Sequence, residues 1–299
     1  LALITNISDE RELNLHIAIV GLGLMGGSLA AVLKPHVSSL SAVDPNQDSL
    51  DAALRAGVID RGTADLAEGV AGVDLVVLAT PVRTILQILV QLPALCPDGC
   101  LVLDLGSTKG AVCAAMDELP AAFQAVGGHP MCGKESSGFA EADPGLYQNR
   151  TFVLCRTKRS TTLVEQTALK MVELVGGRPL FLPPLLHDEL VSLTSHLPYL
   201  VSAVLMRQAA AVAQEQEHLW PVSASGFRDS SRLAGSSPAV MGDILLTNRT
   251  AVLNQLYRYR HSLNELITLL ETEADSELIA WLEEVQEGYQ AYRKYLDSS

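Results

Sequence analysis

Residues 17–28 read Ile-Ala-Ile-Val-Gly-Leu-Gly-Leu-Met-Gly-Gly-Ser, a short apolar run joined to a helix-forming stretch by three glycines at Gly-x-Gly-x-x-Gly spacing. This pattern constrains the fold more than any other in the chain, because it fits one supersecondary unit: a strand, a tight turn and a helix whose N-terminus faces an anion. Gly21 suits the turn, Gly23 lets the backbone approach a pyrophosphate, and Gly26 lets the helix lie close on its strand. Leu24 and Met25 fall inside the same loop and share its expected ligand. A second apolar run, 40–43, ends in Asp44, 18 residues beyond Gly26. A carboxylate there can accept hydrogen bonds from a ribose 2′- and 3′-hydroxyl pair, or it can cap the helix that follows. Residues 45–49 contain no Arg or Lys to neutralise a 2′-phosphate, so the expected cofactor is NAD rather than NADP.

From residue 17 to about 183, apolar runs alternate with amphipathic stretches, the pattern of a parallel sheet covered on both faces. Expected strands are 17–20, 40–43, 75–79, 101–105, 125–126, 152–155 and 179–182. Val82, Ile85, Leu86, Leu89 and Val90 recur at helical spacing, as do Leu163, Val164, Met171, Val172 and Val175 before a Gly176-Gly177 stop. The pair Pro183-Pro184 ends the alternation, and 186–214 reads as one long helical stretch interrupted by Pro198. Two final stripes are the clearest. Val252, Leu256, Tyr259, Leu263, Leu266 and Leu270 form one, and Leu278, Trp281, Leu282, Val285, Tyr289, Tyr292 and Leu296 form the other. They suit packing on each other or a homodimer interface. The expected fold class is therefore α/β: a lead-in over 1–15, a Rossmann-type doubly wound, mostly parallel sheet over 16–185, and an all-helical substrate-binding and dimerisation domain over 186–299.

With a net charge of −13, the 299-residue chain offers no broad surface for nucleic acid or an anionic membrane, so an anionic ligand has to be caught in a local pocket. No segment is expected to approach the 18 apolar residues of a membrane span. Five cysteines, an odd number without a Cys-x-x-Cys pair, and no signal-peptide pattern at the N-terminus suit a reducing, cytoplasmic setting.

An open α/β sheet binds its ligands at the carboxyl ends of its strands, which directs attention to four segments. Strand 101–105 runs into Gly106-Ser107-Thr108-Lys109, and the strand near Val126 runs into a loop from Gly127 to Glu135 containing His129. The helical part supplies Ser195-His196-Leu197-Pro198 and Gly226-Phe227-Arg228-Asp229-Ser230-Ser231-Arg232. His129 suits acid–base work because imidazole titrates near neutrality, but a loop histidine bonded to a carbonyl fits equally well. Ser107 either hydrogen-bonds His129 or substrate, or caps a helix. Arg228 and Arg232 share a helix face, as a carboxylate clamp or as partners of Asp229. Gly128 to Lys134 fits the start of a nucleotide-triphosphate loop, but Glu135 stands where magnesium needs Ser or Thr, so that reading fails. The seven histidines show no metal-ligand spacing, and no metal is expected.

Taken in order, residues 21–28, Gly-Gly-His-Pro-Met-x-Gly at 127–133, Ser-His-Leu-Pro at 195–198 and Gly-Phe-Arg-Asp-x-Ser-Arg at 226–232 resemble the prephenate/arogenate dehydrogenase family of tyrosine biosynthesis. The resemblance implies oxidative decarboxylation of a cyclohexadienyl ring bearing a 4-hydroxyl and a 1-carboxylate, driven by aromatisation. It implies that neutral His129 takes a hydrogen bond from the hydroxyl, that Ser107 orients His129, and that Arg232 binds the substrate carboxylate. Arg228, His196 and Glu135 then become pocket neighbours, and Thr80 and Pro81 line the cofactor. Tyrosine inhibition is expected to act at the active site, since the chain has no spare length for a fused regulatory domain. Two rivals remain in view. A β-hydroxyacid dehydrogenase shares the glycine start but needs a lysine between 186 and 214, where there is none. A non-catalytic NAD-responsive regulator gives no reason for His129 beside two arginines.

Overall fold

Val, Ile and Leu dominate the strands, and side chains alternate along each strand, so a sheet built from them presents two apolar faces. The computed structural model describes residues 12–134 and 138–298. Ile17 and Ile19 of β1 (His16–Val20) enter one core, while Ala18 and Val20 enter a second on the opposite face. The chain continues through α1 (Leu24–Leu33), β2 (Ser39–Val43), α2 (Gln47–Arg55), β3 (Arg61–Thr63), α3 (Leu66–Val70), β4 (Leu75–Leu78) and α4 (Val82–Leu95). It then forms β5 (Leu101–Asp104), α5 (Gly110–Asp117), β6 (Gln124–Pro130), β7 (Thr151–Arg156), α6 (Thr162–Leu174) and β8 (Arg178–Phe181). The sheet order is β3-β2-β1-β4-β5-β6-β7-β8, parallel throughout except between β6 and β7. The strand order reverses between β1 and β4, which opens the crevice where such sheets bind ligands.

Four expectations need correction. The strand β3 was not expected, because Arg61-Gly62-Thr63 carries no apolar run; it forms as an edge strand on β2. His129 lies within β6 rather than in a loop beyond it: the antiparallel β7 pairs Val153 with His129 and Leu154 with Gly128, extending the strand past Val126. Val90 is 79% exposed on the outer side of α4, off the stripe made by Val82, Ile85 and Leu89. Finally, Pro184–Ala213 is a 30-residue helical run long and apolar enough to cross a membrane by length and composition. It also holds the buried polar residues His187, Asp188, Ser192 and His196, of which Asp188 accepts the Lys109 N–H, His187 contacts His129 and His196 contacts Asn248.

That run comprises α7 (Pro184–Val191), a π-helical turn over Ser192–His196, and α8 (Leu197–Ala213), so the interruption expected at Pro198 is a wide turn placed just before it. The elements α9 (Ser225–Ser231) and α10 (Pro238–Thr247) follow. The α6 helix ends where expected, with Gly176 at φ +69°. Of the expected lead-in, residues 1–11 lie outside the described residues, whereas Leu15 is buried and the Leu13 N–H donates to the His36 carbonyl.

The fold divides into two compact units, Leu1–Arg249 and Thr250–Ser299. The second carries α11 (Arg249–Glu271) and α12 (Asp275–Ser298), the two striped helices. Their stripes are largely uncovered in a single chain, with Leu263, Leu270, Leu282, Tyr289 and Tyr292 all exposed.

Candidate active site

The glycine loop adopts the geometry its spacing implies. Gly21 has φ +98°, and a Cβ on it would stand 2.8 Å from the Ala79 carbonyl and the Thr80 side chain, so the turn after β1 lies tight against the end of β4. A Cβ on Gly26 would lie 1.9 Å from the Gly21 oxygen, which only glycine permits. A Cβ on Gly23, by contrast, would meet nothing within 4 Å. Gly23 is also the N-cap of α1 and brings no side-chain cap, so the helix's first N–H groups face this open space. The residues fit a dinucleotide: a turn, an open backbone face and a helix dipole for the pyrophosphate.

Asp44 neither caps α2, which Asn46 does, nor stands idle. Its Oδ2 accepts the Leu22 N–H at 2.7 Å and its Oδ1 accepts the Asn46 N–H at 2.8 Å, tying the glycine loop to the end of β2. A carboxylate has about four acceptor positions, so lone pairs remain for ribose hydroxyls.

At the next strand ends a cavity of about 590 Å³ joins the glycine loop to the residues expected to do chemistry. Leu24 and Met25 line it on one side, Ser107 and His129 on the sheet side, and Ser195, Arg232 and Met241 on the helical side. Tyr147 donates to the Met25 carbonyl at 2.6 Å and fixes that wall. Arg228 is exposed and lies outside the cavity lining, since Arg232 starts a 3₁₀ turn after α9 instead of continuing its face. Glu135 lies outside the described residues.

His129 is held by a partner that spacing did not reveal. Its Nδ1 lies 2.8 Å from His187 Nε2, and His187 Nδ1 lies 2.8 Å from Asp188 Oδ1. Ser107 shares the cavity, but the hydrogen bond of the ring is to His187. Only the adjacent His187-Asp188 pair, on the helix after the Pro-Pro break, could have signalled it. Beneath His129 the Lys109 ammonium pairs with Asp104, both fully buried, and donates to the Gly128 carbonyl at 2.7 Å. A Cβ on Gly128 would sit 2.5 Å from the Asp104 carbonyl, so that glycine lets β6 close on β5.

Burial holds the His129 pKa well below the ordinary imidazole value, and the neighbouring His187, Lys109 and His196 push it the same way. The neutral ring, which keeps a lone pair on one nitrogen, is therefore the favoured form. His196 stands 3.3 Å from Asn248 Nδ2, and burial pushes its pKa down to about 4 against an opposing pull from Asp188.

A doubly wound sheet with an open glycine loop, leading into a cleft that holds a neutral, half-buried histidine, defines a dinucleotide-dependent dehydrogenase. Family models make the class specific: residues 29–180 match the prephenate dehydrogenase nucleotide-binding domain and 183–284 the prephenate dehydrogenase dimerization domain. The chain belongs to the prephenate dehydrogenase family. It is 34% identical over 268 residues to a prephenate dehydrogenase of Bacillus subtilis, covering 86% of this chain and 70% of that one. The structure of Aquifex aeolicus prephenate dehydrogenase in complex with hydroxyphenyl propionate and NAD+ superposes with a TM-score of 0.79 at 32% identity, covering 91% of this chain and 96% of that one. Synechocystis arogenate dehydrogenase gives 0.77 at 30% identity, covering 93% and 99%.

Proposed function

We infer that this chain catalyses the NAD-linked oxidative decarboxylation of prephenate or arogenate, the tyrosine-forming branch of aromatic amino-acid synthesis, with His129 as the proton acceptor. The observation that carries the assignment of His129 is its occupied Nδ1: the ring lines the cavity, and Nε2 is the nitrogen left for a ligand.

NAD, when bound, supplies the hydride acceptor. Gly21, Gly23 and Gly26 with Leu24 and Met25 would hold its pyrophosphate, Asp44 its ribose, and Thr80 and Pro81 the strand end beside it. His129 Nε2 takes the 4-hydroxyl proton as that ring carbon is oxidised. The bond to the 1-carboxylate then breaks, its electron pair completes the aromatic ring, and the phenolic oxygen takes a proton back. The substrate thus loses carbon dioxide and a hydride, for which NAD would be the acceptor. Arg232, which lines the cavity, would bind a substrate carboxylate, and Ser107, in the same lining, would contact the hydroxyl. The family resemblance would also bring His196 and Glu135 near the substrate, whereas Arg228 lies outside the cavity lining.

The exposed stripes of α11 and α12 support a homodimer formed through the C-terminal helices, read out by the molar mass in solution. Five free thiols, four of them buried, favour the reducing cytoplasm. Tyrosine, which shares the product's ring, would inhibit by occupying this cavity, and competition with substrate tests it. The decisive assay follows NADH formation with prephenate and with arogenate, repeated with NADP. Turnover with at least one substrate and a clear preference for NAD is expected. No turnover with either would overturn the assignment, and a preference for NADP would overturn the role of Asp44.

A further inference from the structure

The geometry points to His187 and Asp188 as positioning residues that decide which nitrogen of His129 carries its hydrogen, an inference resting on His129 being the base. An ionised carboxylate only accepts hydrogen bonds. Asp188 Oδ1 receives the Lys109 N–H at 2.7 Å and Oδ2 the Gly110 N–H at 2.8 Å, both at the start of α5, where the helix dipole favours negative charge. The contact of Oδ1 with His187 Nδ1 at 2.8 Å must therefore be donated by the ring. In a neutral His187 this leaves the lone pair on Nε2, and the 2.8 Å contact with His129 must be donated by His129 Nδ1. His129 Nε2 is then the unprotonated nitrogen, turned to the cavity as a base. Reversing any link would set two lone pairs, or two hydrogens, against each other at this distance.

The arrangement also prepares for the proton. When His129 accepts the hydroxyl proton on Nε2, its Nδ1–H stays bonded to His187, whose own Nδ1–H stays bonded to Asp188, so the new charge forms two hydrogen bonds from a fixed carboxylate. Lys109, which would oppose that charge, is neutralised by Asp104. His196 is the remaining titratable ring facing the pair, and it is bonded to Asn248. Asn248 Nδ2 in turn donates to the Asp188 backbone carbonyl at 2.8 Å, fixing the helix turn that carries both positioning residues.

Steady-state kinetics of His187→Leu, His187→Gln and Asp188→Asn, with His129→Ala as reference, test the inference. His187→Leu removes the acceptor and is expected to lower kcat about 10²–10⁴-fold, as loss of a correctly oriented base does, with KM for both substrates within about threefold. In Asp188→Asn the amide nitrogen must face either the Lys109 or the Gly110 N–H, so the group that holds the His187 Nδ1–H is displaced, with a similar loss expected. His187→Gln recovers most of it, because its amide oxygen can still accept the His129 Nδ1–H. If His129→Ala is inactive while His187→Leu keeps kcat within about threefold of wild type, the positioning role fails and the base stands. If His129→Ala itself turns over normally, the base fails. Nitrogen NMR of the histidines in the wild-type enzyme with NAD bound reads the tautomer even where a variant does not fold. A hydrogen on His129 Nδ1 is expected, and one on Nε2 overturns the inference.

Discussion

The cofactor end of the cleft is made of backbone from nearly continuous sequence, whereas the histidine end is made of side chains from separate elements. Gly21, Gly23 and Gly26 act by what they lack, and their consequences are steric. His129, His187, Asp188, His196 and Asn248 act through bonds that exist only once β6, α7, the π-helical turn and the end of α10 have met. The difference teaches that the first end tolerates drift in its surroundings as long as three Cβ atoms stay absent. The second depends on every neighbour at once.

The two ends should fail differently. The largest expected effect is at the histidine end: His129→Ala lowers kcat about 10²–10⁴-fold while NAD affinity, read by fluorescence titration, stays as in wild type. A parallel loss of NAD binding would erase the distinction between the ends. Acid comes next. His196 has a folded-state pKa of about 4, below its unfolded value of 6.5, so the unfolded chain binds the extra proton first. The stability it contributes is complete above pH 6.5 and disappears as pH falls toward 4, a loss of about 3 kcal/mol from this ring alone. Urea unfolding at pH 7.5 and at about pH 4.5 measures it, and His196→Gln should flatten the difference.

At the glycine end, Gly26→Ala is expected to cost about 1–3 kcal/mol in stability by forcing a Cβ against the Gly21 carbonyl. Gly23→Ala should leave the melting temperature unchanged yet raise KM for NAD at least about tenfold, because its Cβ meets only the space the pyrophosphate needs. Equal melting curves for all three proteins would show that the loop relaxes around the clash. The smallest effect separates the arginines. Arg232→Ala should raise the substrate KM about tenfold with kcat nearly constant, while Arg228→Ala changes neither, as its position outside the cavity requires.

Much of this was legible in the sequence because it is local. The glycine spacing, the apolar runs of β1, β2, β4 and β5 and the stripes of α11 and α12 each occupy a few consecutive turns or residues. The short β3 was not, since Arg61-Gly62-Thr63 becomes a strand only by pairing with β2. Nor was the length of β6, which depends on β7 returning antiparallel. The same reason hid His187 and Asp188: their spacing on α7 is that of any helix, and their role appears only across a separation of 58 residues in sequence between His129 and His187. Arg228 and Arg232 mislead in the opposite direction, because a spacing of four places them on one face only if the α-helix continues, and here it tightens at Arg232.

The buried pair of Asp104 and Lys109 has a consequence for how such a sequence can change over generations. Replacing either one alone leaves a lone charge in the interior at a cost of about 3–5 kcal/mol, against a total stability of about 5–15 kcal/mol for a typical domain. A lineage that loses one partner must therefore lose or exchange the other almost at once. The two positions, five apart in sequence, are inherited as a single character.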